Sequence, residues 1–346
     1  MIGERIRRAR LLRGMSLQGL ADALGDISKQ ALSKFETGRD VPNSARLLQL
    51  AKILELKAEY FFRPVEVRLE RVEFRKKTRL TKKDREAIVE QTRDHLERYL
   101  ILESLFEVAD AERRGFAAHS IQVSNPDEAE EAAEKLRRKW NIGFDAIENL
   151  TELLEDKGIK VVELDAPESF DGLSAWVDEK HPVIILNRNK AGERQRFTVA
   201  HELGHLVMDI AKGADEEKLC HRFAGAFIFP KECVLRELGE HRKQVSWQEL
   251  ILLKEKYGLS LAAMLSRGRD LGIFQPSVVT SAITTMKQQG FWKKEPHELE
   301  TEQPTRFDRL LYHSLAEGLI SLPKAAELMV VPVEELEYKL GHQMGA

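Results

Sequence analysis

Residues 196–208 read RFTVAHELGHLVM, and the spacing of the two histidines in this stretch decides how the second half of the chain is read. Its apolar positions predict a helix, on which residues four apart share a face. His201 and His205 therefore present their imidazoles to one point, where a zinc ion is held at about 2.0 to 2.1 Å. Glu202 stands beside them, and a carboxylate in that place can take a proton from a metal-bound water whose pKa zinc lowers toward about 7. Chance alone produces such a five-residue pattern in on the order of a few per cent of chains, so a third ligand is required. Downstream, residues 213–230, GADEEKLCHRFAGAFIFP, predict a second helix ended by Pro230. Leu219, Phe223, Ala226 and Phe227 form its buried stripe, while Glu217 and His221 share another face. Glu217 can return to the metal and leave a fourth position open for water, as a catalytic zinc site demands.

Around this pair the roles divide. His221 has two readings: a group that orients Glu217, which is preferred, or an alternative ligand. Cys220 is read as a buried core thiol rather than a donor, and Cys233 has no assigned role. Tyr257 and Tyr312 are both candidates for stabilising an oxyanion. The remaining histidines, among them His119, His181 and His297, are read as ordinary surface or loop residues. Before the motif helix, GLSAWV (172–177) and VIILN (183–187) predict two strands of a hairpin. The second is read either as an edge strand that cradles an extended peptide or as a buried core strand.

The N-terminal sixty residues follow a different rule. Four short helices are predicted. Ser16 precedes Leu17, Leu20, Ala21 and Leu24, one apolar stripe closed by Gly25. Ser28 can cap KQALSKFE (29–36), with Ala31, Leu32 and Phe35 inward and Lys29, Gln30, Ser33 and Lys34 outward. Pro42 and Asn43 open a further helix with Leu47, Leu50, Ala51 and Leu54 inward, and Tyr60, Phe61 and Phe62 supply an aromatic plug. Residues 1–82 carry 19 Lys and Arg against 10 Asp and Glu, a net charge of about +9, which leaves about −12 for the remainder. Such a split suggests one module that faces nucleic acid.

These stretches resemble two known families. IRRARLLRGMSLQGLADALG (6–25) through ISKQALSKFETGRDVPNSARLLQLAKIL (27–54) resembles the Xre/Cro-type helix-turn-helix domain. That resemblance implies a recognition helix in the DNA major groove and makes Lys29, Gln30, Ser33 and Lys34 the candidate contacts to an operator. It also implies a homodimer on a pseudo-palindromic site. GERQRFTVAHELGHLVM (192–208) with EKLCHRFAGAFIFP (217–230), flanked by FDGLSAWV, PVIILN and YGLSLAAMLSRGRDLGIF, resembles the ImmA/IrrE family of zincin-like metallo-endopeptidases. By motif position His201, His205 and Glu217 correspond to the zinc ligands and Glu202 to the catalytic carboxylate. His221 stands where many members carry Asn.

The fold expected is α+β and mostly helical. It comprises a helix-turn-helix domain (1–63), a connecting arm and long helix from near Thr81 (64–124), a zincin-like domain with a small sheet (125–275) and a helical C-terminal region that senses or dimerises (276–346). The function expected is a DNA-binding stress or transcription regulator whose zinc endopeptidase cleaves a protein such as a helix-turn-helix repressor. The alternative is a regulator whose metal domain is an inactive sensor. No stretch approaches the roughly 20 apolar residues of a membrane span. Two cysteines are too few for a disulfide framework, and the basic N-terminus lacks the marks of an export signal, so the cytoplasm is the expected compartment.

Overall fold

The computed structural model describes residues 2–63, 67–70, 72, 80–106, 120–292 and 294–342. It divides into two compact units. The first comprises residues 1–70, 76–109 and 305–346, and the second residues 71–75 and 110–304. Among the described residues no helix is long and apolar enough to cross a membrane. The chain is predominantly helical with a small sheet, the α+β class expected of it.

The first unit opens with α1 (Ile2–Leu12), α2 (Leu17–Leu24), α3 (Lys29–Glu36), α4 (Ser44–Ile53) and a 3-10 turn (Ala58–Phe62). Each boundary has a local cause. The Ser16, Ser28 and Asn43 side chains accept hydrogen bonds from the backbone N–H groups of Gly19, Ala31 and Arg46, which satisfies donors the first turn leaves orphaned. Ile6, Leu20, Leu32, Leu50, Leu54 and Phe61 are fully buried between these helices. Of the predicted aromatic plug Tyr60 and Phe61 are buried, whereas Phe62 is 62% exposed. The expected arm after Pro64 lies mostly outside the described residues and includes a two-residue strand, β1 (Leu69–Glu70). Next comes α5 (Lys82–Glu103), started by a reciprocal capping box between Thr81 and Asp84.

Helices α14 (Arg306–Ala316), α15 (Leu322–Met329) and α16 (Val333–His342) complete the first unit. Their Phe307, Leu311, Ala325, Ala326, Leu328 and Leu336 form one buried cluster with Tyr99 and Leu102 of α5. Residues 324–340 read by periodicity as one helix, but the chain breaks into two. Val330 takes a left-handed φ of 60°, and Pro332 disfavours helical backbone at the residue before it.

Within the second unit β3 (Lys160–Leu164), β4 (Gly172–Val177) and β5 (His181–Asn187) are ordered β4-β5-β3, with β4 antiparallel and β3 parallel to β5. A second pair joins β2 (Ile121–Val123) to β6 (Met208–Ile210) in parallel. The helices are α6 (Pro126–Trp140), α7 (Leu150–Asp156), α8 (Gly192–Val207), α9 (Glu216–Ile228), α10 (Lys231–Leu238), α11 (Trp247–Tyr257), α12 (Leu261–Asp270) and α13 (Pro276–Gln288). One sheet face, with Val161, Trp176, Ile184 and Leu186, belongs to the main helical core.

Two expectations change here. Strand β5 is flanked on both sides and buried from Pro182 to Asn187, so it is a core strand and not a peptide cradle. Residues 144–158 read by periodicity as one helix, yet the helix begins only at Leu150. Asn149 caps it through the Glu152 N–H, and the buried Arg137 guanidinium draws the carbonyls of Gly143 and Asp145 to itself.

Candidate metal centre

The site grows from the contact between α8 and α9. Gly204, inside the HELGH sequence, sets how closely these helices approach. A Cβ there would lie 3.1 Å from the Phe223 ring and 3.5 Å from the Cys220 Cα, so the missing side chain lets α9 lie against the motif helix. Asp215 caps α9 through the Lys218 N–H and places Glu217 in its first turn.

Three donors converge as a result. The Nε2 atoms of His201 and His205 are 3.2 Å apart, and the Glu217 carboxylate oxygens stand 3.5 Å from the first and 3.8 Å from the second. A tetrahedral ion with ligand bonds of about 2.0 to 2.1 Å holds its donors about 3.3 to 3.4 Å from one another. The donor set, two imidazoles and a carboxylate, is also the chemistry of a catalytic zinc site, and among the described residues these three form the one group suited to a metal ion. The residues present therefore fit the metal.

Neighbouring groups orient the donors. The ring of His205 meets Glu216 through Nδ1 at 2.9 Å, and an N–H donated there leaves the Nε2 lone pair facing the convergence point. Burial disfavours a charge on His205, but hydrogen bonds with Cys220 and Glu216 and the nearby Glu202 carboxylate outweigh it and push its pKa up to about 11. Glu202 is buried, 3% exposed, and its Oε2 accepts a hydrogen bond of 3.0 Å from the Ser174 hydroxyl on β4.

His221 lies one turn beyond Glu217, and its Nδ1 meets the Glu217 backbone carbonyl at 2.7 Å, not the carboxylate. Its ring stands edge-on to His201 at 4.5 Å and 5.6 Å from Phe197. Cys220 is fully buried. The Tyr257 hydroxyl donates to Glu237 at 3.0 Å, and Tyr312 belongs to α14 of the first unit. His119 falls outside the described residues. Sequence reading missed Glu216 and Ser174. The first is an ordinary acidic residue in a helix first turn, and the second acts through a strand-to-helix register that only folding creates.

In the first unit Lys29, Gln30 and Lys34 of α3 are exposed, while Ser33 is half-buried. Several of the unit's arginines are held internally. Arg5 binds Glu97, Arg10 binds Glu36 and Arg46 binds Asp26, while Arg13 donates to the carbonyls of Leu54 and Glu55. The free basic face is therefore narrower than the number of basic residues implies.

A first unit built on a helix-turn-helix and a second built on a His-Glu-x-x-His helix with a carboxylate from the next helix define a two-module class. Comparison with known proteins gives the modules their families. Residues 6–61 match the helix-turn-helix family model, and residues 154–268 match that of the IrrE N-terminal-like domain, a peptidase M78 domain. The chain thus joins an Xre-type helix-turn-helix domain to an IrrE/ImmA-like M78 peptidase domain. It is 35% identical over 63 residues to the SPbeta prophage-derived uncharacterized HTH-type transcriptional regulator YonR of Bacillus subtilis strain 168, a match over 18% of this chain and 57% of that protein. The chain thus spans little more than half the length of this curated relative. No solved structure matches it.

Proposed function

We propose that the chain is a DNA-binding transcriptional regulator whose second unit is a zinc-dependent endopeptidase, and that its substrate is a helix-turn-helix repressor protein. The convergence of His201, His205 and Glu217 at the spacing of a tetrahedral ion, with the Glu202 carboxylate alongside, carries the reading. The M78 family match and the regulator named in the B. subtilis relative support it.

In this reading His201, His205 and Glu217 hold zinc, and zinc when bound supplies Lewis acidity toward water and a peptide carbonyl. Glu216 fixes the His205 ring, and His221 braces the Glu217 backbone. Glu202 takes a proton from the attacking water and returns it to the departing amine. On the first unit Lys29, Gln30 and Lys34, with Ser33 at the edge of the face, contact an operator in double-stranded DNA. A palindromic operator matches a homodimer. The regulator belongs in the cytoplasm, and a stress response is the setting in which removing a repressor would act.

The deciding experiment co-expresses adjacent helix-turn-helix repressors with the wild-type chain or with Glu202→Gln and follows their cleavage, after zinc per chain has been counted. Both proteins should bind one zinc, and cleavage by the variant should fall by about 100-fold or more. A zinc-loaded wild type that cuts no repressor, or a variant that cuts as fast, would refute the endopeptidase reading.

A further inference from the structure

Strand β4 and helix α8 meet in a register that the metal ligands alone do not require. Alternate strand residues share a face, and helix residues four apart share a face. Gly172 and Ser174 are such a strand pair, and Thr198 and Glu202 such a helix pair. The structure matches them member by member. A Cβ on Gly172 would come within 2.6 Å of the Thr198 methyl and 2.7 Å of the Ile185 carbonyl, so only glycine lets the strand pass this close. Two residues on, Ser174 reaches Glu202 with its hydroxyl 3.0 Å from Oε2. Ser174 is half-buried, at the boundary between core and surface, and is anchored by its place opposite Ile184 in the β4–β5 ladder.

The geometry points to Ser174 as the positioning residue for Glu202. Its hydroxyl donates to one carboxylate oxygen and so fixes the carboxyl plane. A carboxylate on a longer side chain, without this donor, has freedom about its terminal torsions, and a base that wanders loses its alignment. Gly172 acts one step earlier by setting the distance over which the hydroxyl must reach. The inference rests on the zinc reading of His201, His205 and Glu217 and deepens it.

Acetohydroxamate tests this without any knowledge of the protein substrate, because it chelates zinc and gives its hydroxyl proton to a neighbouring carboxylate. Zinc content and acetohydroxamate affinity are measured for the full-length wild type, Ser174→Ala, Ser174→Thr, Glu202→Gln and the double variant Ser174→Ala/Glu202→Gln. We expect one zinc per chain throughout and an affinity about tenfold weaker for Ser174→Ala. Ser174→Thr, which keeps the hydroxyl, should stay within about twofold of wild type. In the double variant the serine change should add nothing to the loss caused by Glu202→Gln, the mark of a residue acting through another. Unchanged affinity in Ser174→Ala, or losses that add in full, would overturn the role of Ser174. Absence of zinc from the wild type would instead overturn the metal reading beneath it.

Discussion

Lys34 shows how little a residue's charge says until its neighbours are known. It stands exposed in the last turn of α3, whereas Arg5, Arg10 and Arg46 carry the same charge and spend it on carboxylates of their own unit. A lysine on DNA acts as a point charge that releases a counterion. Lys34→Ala should therefore weaken binding to every sequence alike and lower the slope of log affinity against log salt by about one. Fluorescence titration of an operator duplex between low and moderate salt checks this, and an unchanged slope would remove Lys34 from the interface. The residues of the candidate metal centre follow a similar logic. His201, His205 and Glu202 are legible in the sequence because one helix sets their spacing. Glu217 is legible only by adding a second helix, and Ser174 not at all, because its relation to Glu202 depends on how a strand settles 28 positions upstream.

Among the elements, the seam between α1 and α5 is the least expected. The buried side of α1 toward α5 is ionic: Arg5 and Arg8 both reach Glu97, at 2.7 and 3.3 Å. Burial pushes the Glu97 carboxyl up despite the pull of the two guanidinium groups. On the Arg5 side the balance is reversed, since the pull of Glu97 outweighs burial and raises the guanidinium. Glu97→Ala leaves both arginines without that partner and should destabilise the first unit by roughly 3 kcal/mol. Replacing the trio together, by Arg5→Met, Arg8→Met and Glu97→Leu, should recover most of that loss, with urea midpoints as the measure. Elements with a local signal were read well: Ser28 before α3, Thr81 before α5 and Gly25 after α2 each stop or start a helix through a bond to nearby backbone. Elements set by distant partners were not. The start of α7 depends on Arg137, and the central place of β5 depends on β3, whose pairing no periodicity announces.

At the scale of the whole molecule the first unit is drawn from both ends of the chain, since α14–α16 close over Tyr99 and Leu102 of α5. Removing residues 305–346 should strip that cover, lower the melting temperature of the first unit and weaken its DNA binding, while leaving zinc content intact. Calorimetry beside zinc analysis of the truncated chain tests this, and an unaltered first transition would show the cover to be dispensable. The same arrangement has a consequence for synthesis. A ribosome adds about 5 to 20 residues per second, so residues 110–304 occupy it for about 10 to 40 s after α5 has emerged. The four-helix bundle at the N-terminus can close during that time, yet its supporting helix must wait, apolar side bare, for α14–α16 to be translated. A chain released before residue 305 would therefore hold a closed N-terminal bundle on an unfinished support and be open to proteolysis.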